Sequence, residues 1–510
     1  MRSPASTPSS TSSDPAIAVK SPGAPASSSA VKPTAGRAAI PVQPSVDSLL
    51  ARCAIPTNPV PDWLAAARGR AASWATERGL PTRKDEDWKY TPLAPLLAAA
   101  VQDADMSAPA AISHGMVELS AIGSSVARIV FVNGAFSPRH SSLDGLPVGV
   151  KVTSLAADIA SGVRDLEAFL SPRSGEFAHA FEAINAAAAA DGAVIRVEAD
   201  ADTEGLIELV FWSDGCGTSR ISQPRSIVVA GSRSRVSFVE NYAGPAGAAV
   251  WTNAVTQVVV GPGAQVDHYK VQDEPDTGFH LGLLDVVQEA GSRFSSLSIA
   301  LGSRIARHEV RVRLDGEQAY AALSGLYLPG GDRHHDNPVL VVHAAPNCTS
   351  RQLYKGIASD HGHGVFNGHL VVLPGADGTD ASQTNKNLLL SDHAEIDTRP
   401  RLEILTDDVK CSHGAAVGAL DPDAVFYLRS RGIALRQAKS ILTTAFAGEI
   451  VERIPAEALR LQVEALVAAR LGEEENPEAQ NSAASGSAAS GSGLQSSVAQ
   501  GPTQGRSSSR

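Results

Sequence analysis

The sequence predicts a mainly β fold, either a sandwich, a barrel or a parallel β-solenoid, set between two helical regions. Three observations predict it. From about residue 193 to residue 405 nearly every segment is a short apolar run closed by Gly, Asp or Pro, with no helical period between the runs. The stretch Asn385-Lys386-Asn387-Leu388-Leu389-Leu390 carries amides at alternate positions. Pointing inward, they could stack in hydrogen-bonded ladders between coils, which favours the solenoid. On both sides of this region, apolar residues recur at spacings of three and four.

Residues 1–50 read as a disordered extension. They are rich in Ser, Ala, Pro and Thr and carry Arg2, Lys20, Lys32 and Arg37 against few acids, too little apolar surface to fold. That composition suits an organelle transit peptide, and the alternative is an unstructured extension on a bacterial protein. No apolar stretch of secretory-signal type is present. Residues 51–190 form an N-terminal helical and mixed region. Its first helix begins with Trp63, Leu64 and Ala67, continues through Ala71, Trp74 and Ala75, and should end near Gly79, before Pro81. A charged run from Arg83 to Leu93 follows, read as a solvated turn anchored by Trp88 and Tyr90. A short strand at Arg128 to Val132 with the turn Asn133-Gly134, then a helical patch from Phe177 to Ala190, complete this region.

Residues 191–405 make the β core. Representative strands are Thr256 to Val260, Ser295 to Leu301, Val310 to Leu314 and Val339 to His343, with Pro338 expected at the start of the last, where a missing donor is tolerated. Residues 406–472 read as a C-terminal helical domain of three helices. Asp421 caps the first, Pro422 takes its first position and Gly432 lies at its end. Ala438, Ile441, Leu442, Ala445 and Phe446 define the second, and Leu459, Val463, Leu466 and Val467 the third, ending at Gly472. So little core per helix implies packing on the β body or a face offered to a partner. Residues 473–510, with Ser-Ala-Ala-Ser-Gly twice in tandem, form a flexible tail.

A net charge of -11 argues against nucleic acid and anionic membranes as partners. No apolar run approaches the roughly 20 residues of a membrane span. Four cysteines, Cys53, Cys216, Cys348 and Cys411, lie far apart without a Cys-x-x-Cys, and three of them read as small buried residues in a reducing compartment. Cys411 differs because His413 stands two residues on. In an extended segment both side chains share a face, a soft sulfur beside a borderline nitrogen, as iron or zinc would require. Two ligands are half a site, so the others must come from elsewhere in the fold or from another subunit.

A second group of candidates is His334, His335, His343, His361, His363 and His369 with Asp332, Asp336 and Asp360. As an enzyme this could be a β-helix metal-dependent lyase or hydrolase using the cluster at 332–369, though its spacing matches no His-Glu-x-x-His motif. The phosphate-loop and nucleophile-elbow motifs are missing, which favours a scaffold over an enzyme.

A series of motifs then becomes specific: Arg351-Gln352-Leu353-Tyr354-Lys355, Val365-Phe366-Asn367-Gly368, Gln383 to Leu389, Glu395-Ile396-Asp397-Thr398-Arg399-Pro400, Asp407 to Gly414 and Phe426 to Ile433. In this order they resemble the SufB/SufD scaffold proteins of the SUF iron-sulfur cluster assembly system. The likeness continues more weakly upstream through Glu86-Asp87-Trp88-Lys89-Tyr90-Thr91 and Phe131-Val132-Asn133-Gly134, so that it spans all but the two tails. It is closest to the SufD branch. The B branch would carry Glu-His-Glu where this chain has Ser412-His413-Gly414, together with a further cluster cysteine.

The resemblance implies a right-handed parallel β-helix between the helical regions, and a non-catalytic scaffold subunit of a heteromeric SufB-SufC-SufD complex. It implies SufB and the ATPase SufC as partners, with nucleotide chemistry left to SufC. His413, with Cys411 beside it, would contribute to holding iron or a nascent iron-sulfur cluster at the SufB interface, and the isolated chain would bind none tightly. Phe426, Tyr427, Arg429, Arg431 and Gly432 would dock SufC. The compartment would be the chloroplast or plastid stroma, or alternatively the bacterial cytoplasm.

Overall fold

The computed structural model describes residues 45–53, 60–101, 122–163, 165–171, 176–214 and 221–474. The expectations for residues 1–44, Cys216 and residues 475–510 lie outside them. Two ten-strand sheets share one core. The first runs in spatial order through Ala135–Phe136, Ala127–Val132, Asp202–Trp212, Arg235–Ala243, Gln265–Asp273, Arg293–Ala300, Tyr320–Tyr327, Thr349–Ala358, Thr379–Leu389 and Val409–Gly418. The second runs from Val150–Ser154 and Ala193–Val197 through Arg225–Ala230, Trp251–Val260, Phe279–Gln288, Ile305–Leu314, His334–His343 and His363–Val372 to Glu395–Ile404, with Ile221–Ser222 paired beside Trp251–Val260.

From Arg225 onward the chain alternates between the sheets, and successive strands of each sheet pair in parallel. This is a β-solenoid. Valines and isoleucines at alternate positions, among them Val228, Val258, Val286, Val312 and Val341, fill its interior because a strand sends every second side chain to one face. Coil length varies. His268 bonds Ser296, 28 residues on, and Gln352 bonds Gln383, 31 residues on, each pair being one coil apart, so the text has no fixed period. The expected inward ladder is present: Gln383 donates to Gln352 (2.9 Å), Asn385 to the Tyr354 carbonyl (3.1 Å) and the Tyr327 hydroxyl to Asn387 (2.7 Å), all buried.

The N-terminal helices cover one flank. Asp62–Arg78 ends at Gly79, whose φ of 74° is open to glycine without strain. In Ala180–Ala188 every residue is buried, because its alanines let neighbouring backbones approach and Asn185 bonds the Pro224 and Asn253 carbonyls. At the other end, Leu435–Val451 and Glu457–Glu474 lay Ala447, Ile450, Val451, Leu459, Val463 and Val467 on Tyr269, Val271, Leu297, Ile299 and Leu353 of the first sheet. Burying a side chain of this size contributes about 1.5–3 kcal/mol.

Four expectations need correcting. Val46–Leu50 is a short helix inside the stretch assigned to the extension, because Val46 and Leu49 find an apolar cluster to enter. Val409–Gly418 is a strand paired with Thr379–Leu389, so the solenoid runs past residue 405 into the stretch assigned to the helical domain. Pro338 is interior to His334–His343, not at its start. Pairing with the preceding coil skips Asn337 and Pro338 and resumes at Val339, while pairing with the following coil is continuous, which accommodates the missing donor. The last helix continues through Gly472 to Glu474.

Candidate functional site

Both sheets end in strands that lack a neighbour on one side, Val409–Gly418 in the first and Glu395–Ile404 in the second. Cys411 and His413 stand on the former. They pair with Ala381 and Gln383, both buried and inward-facing, so Cys411 and His413 share the inward face as their spacing requires. Among the described residues no further coil follows this strand. Cys411 is half-buried against the core, and burial pushes its thiol above the ordinary range. His413 is exposed. An imidazole open to approach and a partly sheltered thiol on one face are donors of the kinds that bind iron.

The terminal coil also exposes apolar side chains. Ile404 is 39%, Leu405 50% and Val417 42% exposed. A free strand edge beside exposed apolar residues is a template for pairing with another chain.

The helix Pro422–Ser430 follows directly, its start fixed by the Asp421 carboxylate accepting from the Asp423 amide. It buries none of its residues. Phe426 is 73% and Tyr427 57% exposed, Arg429 is exposed, and Arg431 stacks over Tyr427 at 5.2 Å. Gly432 turns the chain at φ 86°. The two later helices bury apolar residues on the solenoid, whereas the first buries none.

The histidines grouped in the sequence are dispersed by the strand alternation. His334 and His335 point to opposite faces; His335 is buried against the Gly302 carbonyl, and burial pushes it down to about 3. His343 bonds Ser350 (2.9 Å) inside the solenoid, and His369 sits beside Arg401 and Glu403. His361 stacks on His393. His334 and His363 alone among these histidines meet, at 3.2 Å, and the 332–369 cluster as a whole does not converge on one centre.

The run around Trp88 anchors as expected. Trp88 is buried between His179 and Phe181, with the Arg307 guanidinium 3.9 Å from its ring. Tyr90 is only half-buried.

Sequence reasoning missed an ionisable layer enclosed by the coils. Glu240, His268, Lys270, Glu274, His280 and His308 are all buried. Lys270 Nζ lies 3.2 Å from His308 Nδ1 and 4.9 Å from the Tyr242 ring centre, and His280 lies 2.7 Å from Glu274. Burial pushes Lys270 down to about 8 although Glu240 and Glu274 pull the other way. Burial would raise both carboxyls, but His268 and Lys270 hold Glu240 below its ordinary range, and His280 does the same for Glu274. The signal was the alternation His268, Lys270, Gln272 in one strand, in step with inward-facing Val266.

Comparison with known proteins gives a consistent picture. Residues 211–446 match the family model for the SUF system FeS cluster assembly SufBD core domain, and residues 54–209 match that for the SufBD protein N-terminal region. The chain is 33% identical over 394 residues to the iron-sulfur cluster assembly protein SufD of Escherichia coli, covering 77% of this chain and 90% of that protein. It is 31% identical over 402 residues to an iron-sulfur cluster assembly SufBD family protein of a Synechocystis species, covering 77% and 87%. It is 29% identical over 420 residues to a chloroplastic protein, ABCI7, of Arabidopsis thaliana, covering 80% and 86%.

Proposed function

The chain belongs to the SufBD family and is a subunit of SUF-type iron-sulfur cluster assembly, and from that premise we propose that it is the SufD-like scaffold that pairs with SufB. The observation that carries this is the open terminal coil. Two free strand edges, exposed Ile404, Leu405 and Val417, and an accessible His413 lie where another solenoid end could continue the sheets. His413 supplies one ligand to iron or a nascent cluster there, Cys411 assists with iron or sulfur, and SufB supplies the rest.

Phe426, Tyr427, Arg429, Arg431 and Gly432 dock the ATPase SufC, which performs the nucleotide chemistry. Exposed aromatics with arginines alongside are the residue types that carry binding energy at protein interfaces. Association of two SufC subunits on binding ATP moves the helical domains and opens the shared interface, the differential free energy coming from the nucleotide-dependent contact. The relatives favour two settings, the plastid stroma and the bacterial cytoplasm. Among the described residues no helix is long and apolar enough to cross a membrane.

The test is co-expression with SufB and SufC, with cluster formation measured on the purified complex. Phe426→Ala/Tyr427→Ala should lose SufC while keeping SufB. Retention of SufC would overturn the docking assignment.

A further inference from the structure

On the second sheet, away from the strand that bears Cys411 and His413, the side chains of His363, Glu395 and Asp397 bring one imidazole and two carboxylates together, with ligand atoms within 4.8 Å of one another. The register explains the grouping. His363 pairs with Glu395 on the next coil, and Asp397 follows two residues on, facing the same way. His363 Nε2 lies 2.8 Å from Asp397 Oδ2, and these side chains are 25% and 29% exposed.

Behind His363 a chain of polar groups runs inward. Its Nδ1 lies 3.2 Å from His334 Nδ1, and His334 Nε2 lies 3.3 Å from Thr91 Oγ1. The Thr91 hydroxyl donates to Asp336, which is paired with Arg307. Counting protons along this chain fixes its donors. Thr91 has one hydroxyl proton and gives it to Asp336, so it accepts from His334, whose Nε2 must carry a proton. His334 is 5% exposed and has no carboxylate partner among the described residues, so it is neutral and its Nδ1 is an acceptor. His363 Nδ1 must then be the donor, which leaves His363 Nε2 as the ring atom facing the Asp397 carboxylate.

A cation shared by His363 Nε2 and Asp397 Oδ2, which lie 2.8 Å apart, would satisfy both atoms. A proton would serve Asp397 alone. A metal ion would serve Glu395 as well, whose side chain makes no hydrogen bond or ion pair among the described residues. Two ligands bound at roughly 2.0–2.2 Å and about a right angle stand about 3 Å apart, close to the spacing observed.

We propose that His363, Glu395 and Asp397 form a binding site for a divalent first-row transition-metal ion, with His334 and Thr91 orienting the imidazole. One nitrogen and two oxygen donors suit Fe²⁺, Zn²⁺ or Mn²⁺ and give nothing to thiolate-seeking ions. Three protein ligands leave coordination positions open for water or a partner's group. The site is separate from the cluster half-site at His413 and does not depend on it.

The test uses the full-length chain stripped of metal and titrated with Co²⁺, following visible absorption and calorimetry. One equivalent should bind, with affinity reduced at least about tenfold in Asp397→Asn and in Glu395→Gln, and about 10–100-fold in Thr91→Val through loss of orientation. Cys411→Ser/His413→Ala should bind Co²⁺ like the native chain. Asp397 and Glu395 are at least partly exposed, so their amide variants should keep the native thermal midpoint. Unchanged Co²⁺ affinity in both amide variants, or loss of binding in Cys411→Ser/His413→Ala, would overturn the proposal.

Discussion

Lys270 is an ammonium sealed inside the solenoid, and its titration should be readable in the stability of the whole protein. It is 3% exposed, and burial lowers it from 10.5 to about 8. That fall corresponds to about 3 kcal/mol against the charged form in the folded state. Between the two values the unfolded chain holds the proton and the folded chain does not, so stability rises with pH across this window and the penalty is fully present below about 8. Integrating from about pH 7.5 to about pH 9.5 gives a gain of about 2 kcal/mol from this one group. Buried thiols and tyrosines titrate in the same alkaline region with the opposite sign, so the comparison must be with Lys270→Met, which retains them. Urea unfolding of both proteins at the two pH values should show the native chain improving relative to the variant by about 2 kcal/mol. A difference that stays constant with pH would refute the reasoning, and would mean that Lys270 keeps an ordinary proton affinity despite its burial.

Other substitutions probe separate parts of the molecule. Trp88→Ala should cost about 3–5 kcal/mol and speed amide exchange across residues 83–93, because Trp88 pins that run under Arg307; native exchange there would contradict the anchoring role. Gly282→Ala should lower the unfolding free energy, measured in urea, by about 1–3 kcal/mol, since an added methyl would press on Lys270 Nζ, His280 and His308, and an unchanged value would show that this layer has room. Phe426→Ala/Tyr427→Ala should leave stability within about 0.5 kcal/mol of native, because neither side chain is buried, while removing SufC from the purified complex.

How much of this was legible depended on whether the cause was local. Asp421, Pro422 and Gly432 punctuate a helix through their own backbone preferences, and the structure has that helix from Pro422 to Ser430. Asn385 and Asn387 signalled a solenoid because inward amides need ladder partners, and Tyr354 and Tyr327 supply them. The strand Val409–Gly418 was missed because its open face removes the alternation of apolar and polar residues by which strands are read. The six grouped histidines looked like a centre only because alternation and coil stacking cannot be followed without the coil length. The same ignorance hid the meeting of His363 with Glu395 and Asp397, which come together only when one coil is laid on the next. Lys270 and Glu240 were hidden for a different reason, since charged residues in a strand are ordinarily read as its wet face.

The half-site itself is tested most directly by His413→Ala in the co-expressed assembly with SufB and SufC, purified anaerobically and assayed for cluster formation by absorption. His413 is exposed on the terminal strand, so the variant should fold and assemble like the native chain, yet form little cluster. A complex that assembles normally and forms cluster at the native level would contradict the assignment of His413 as a ligand at the shared interface.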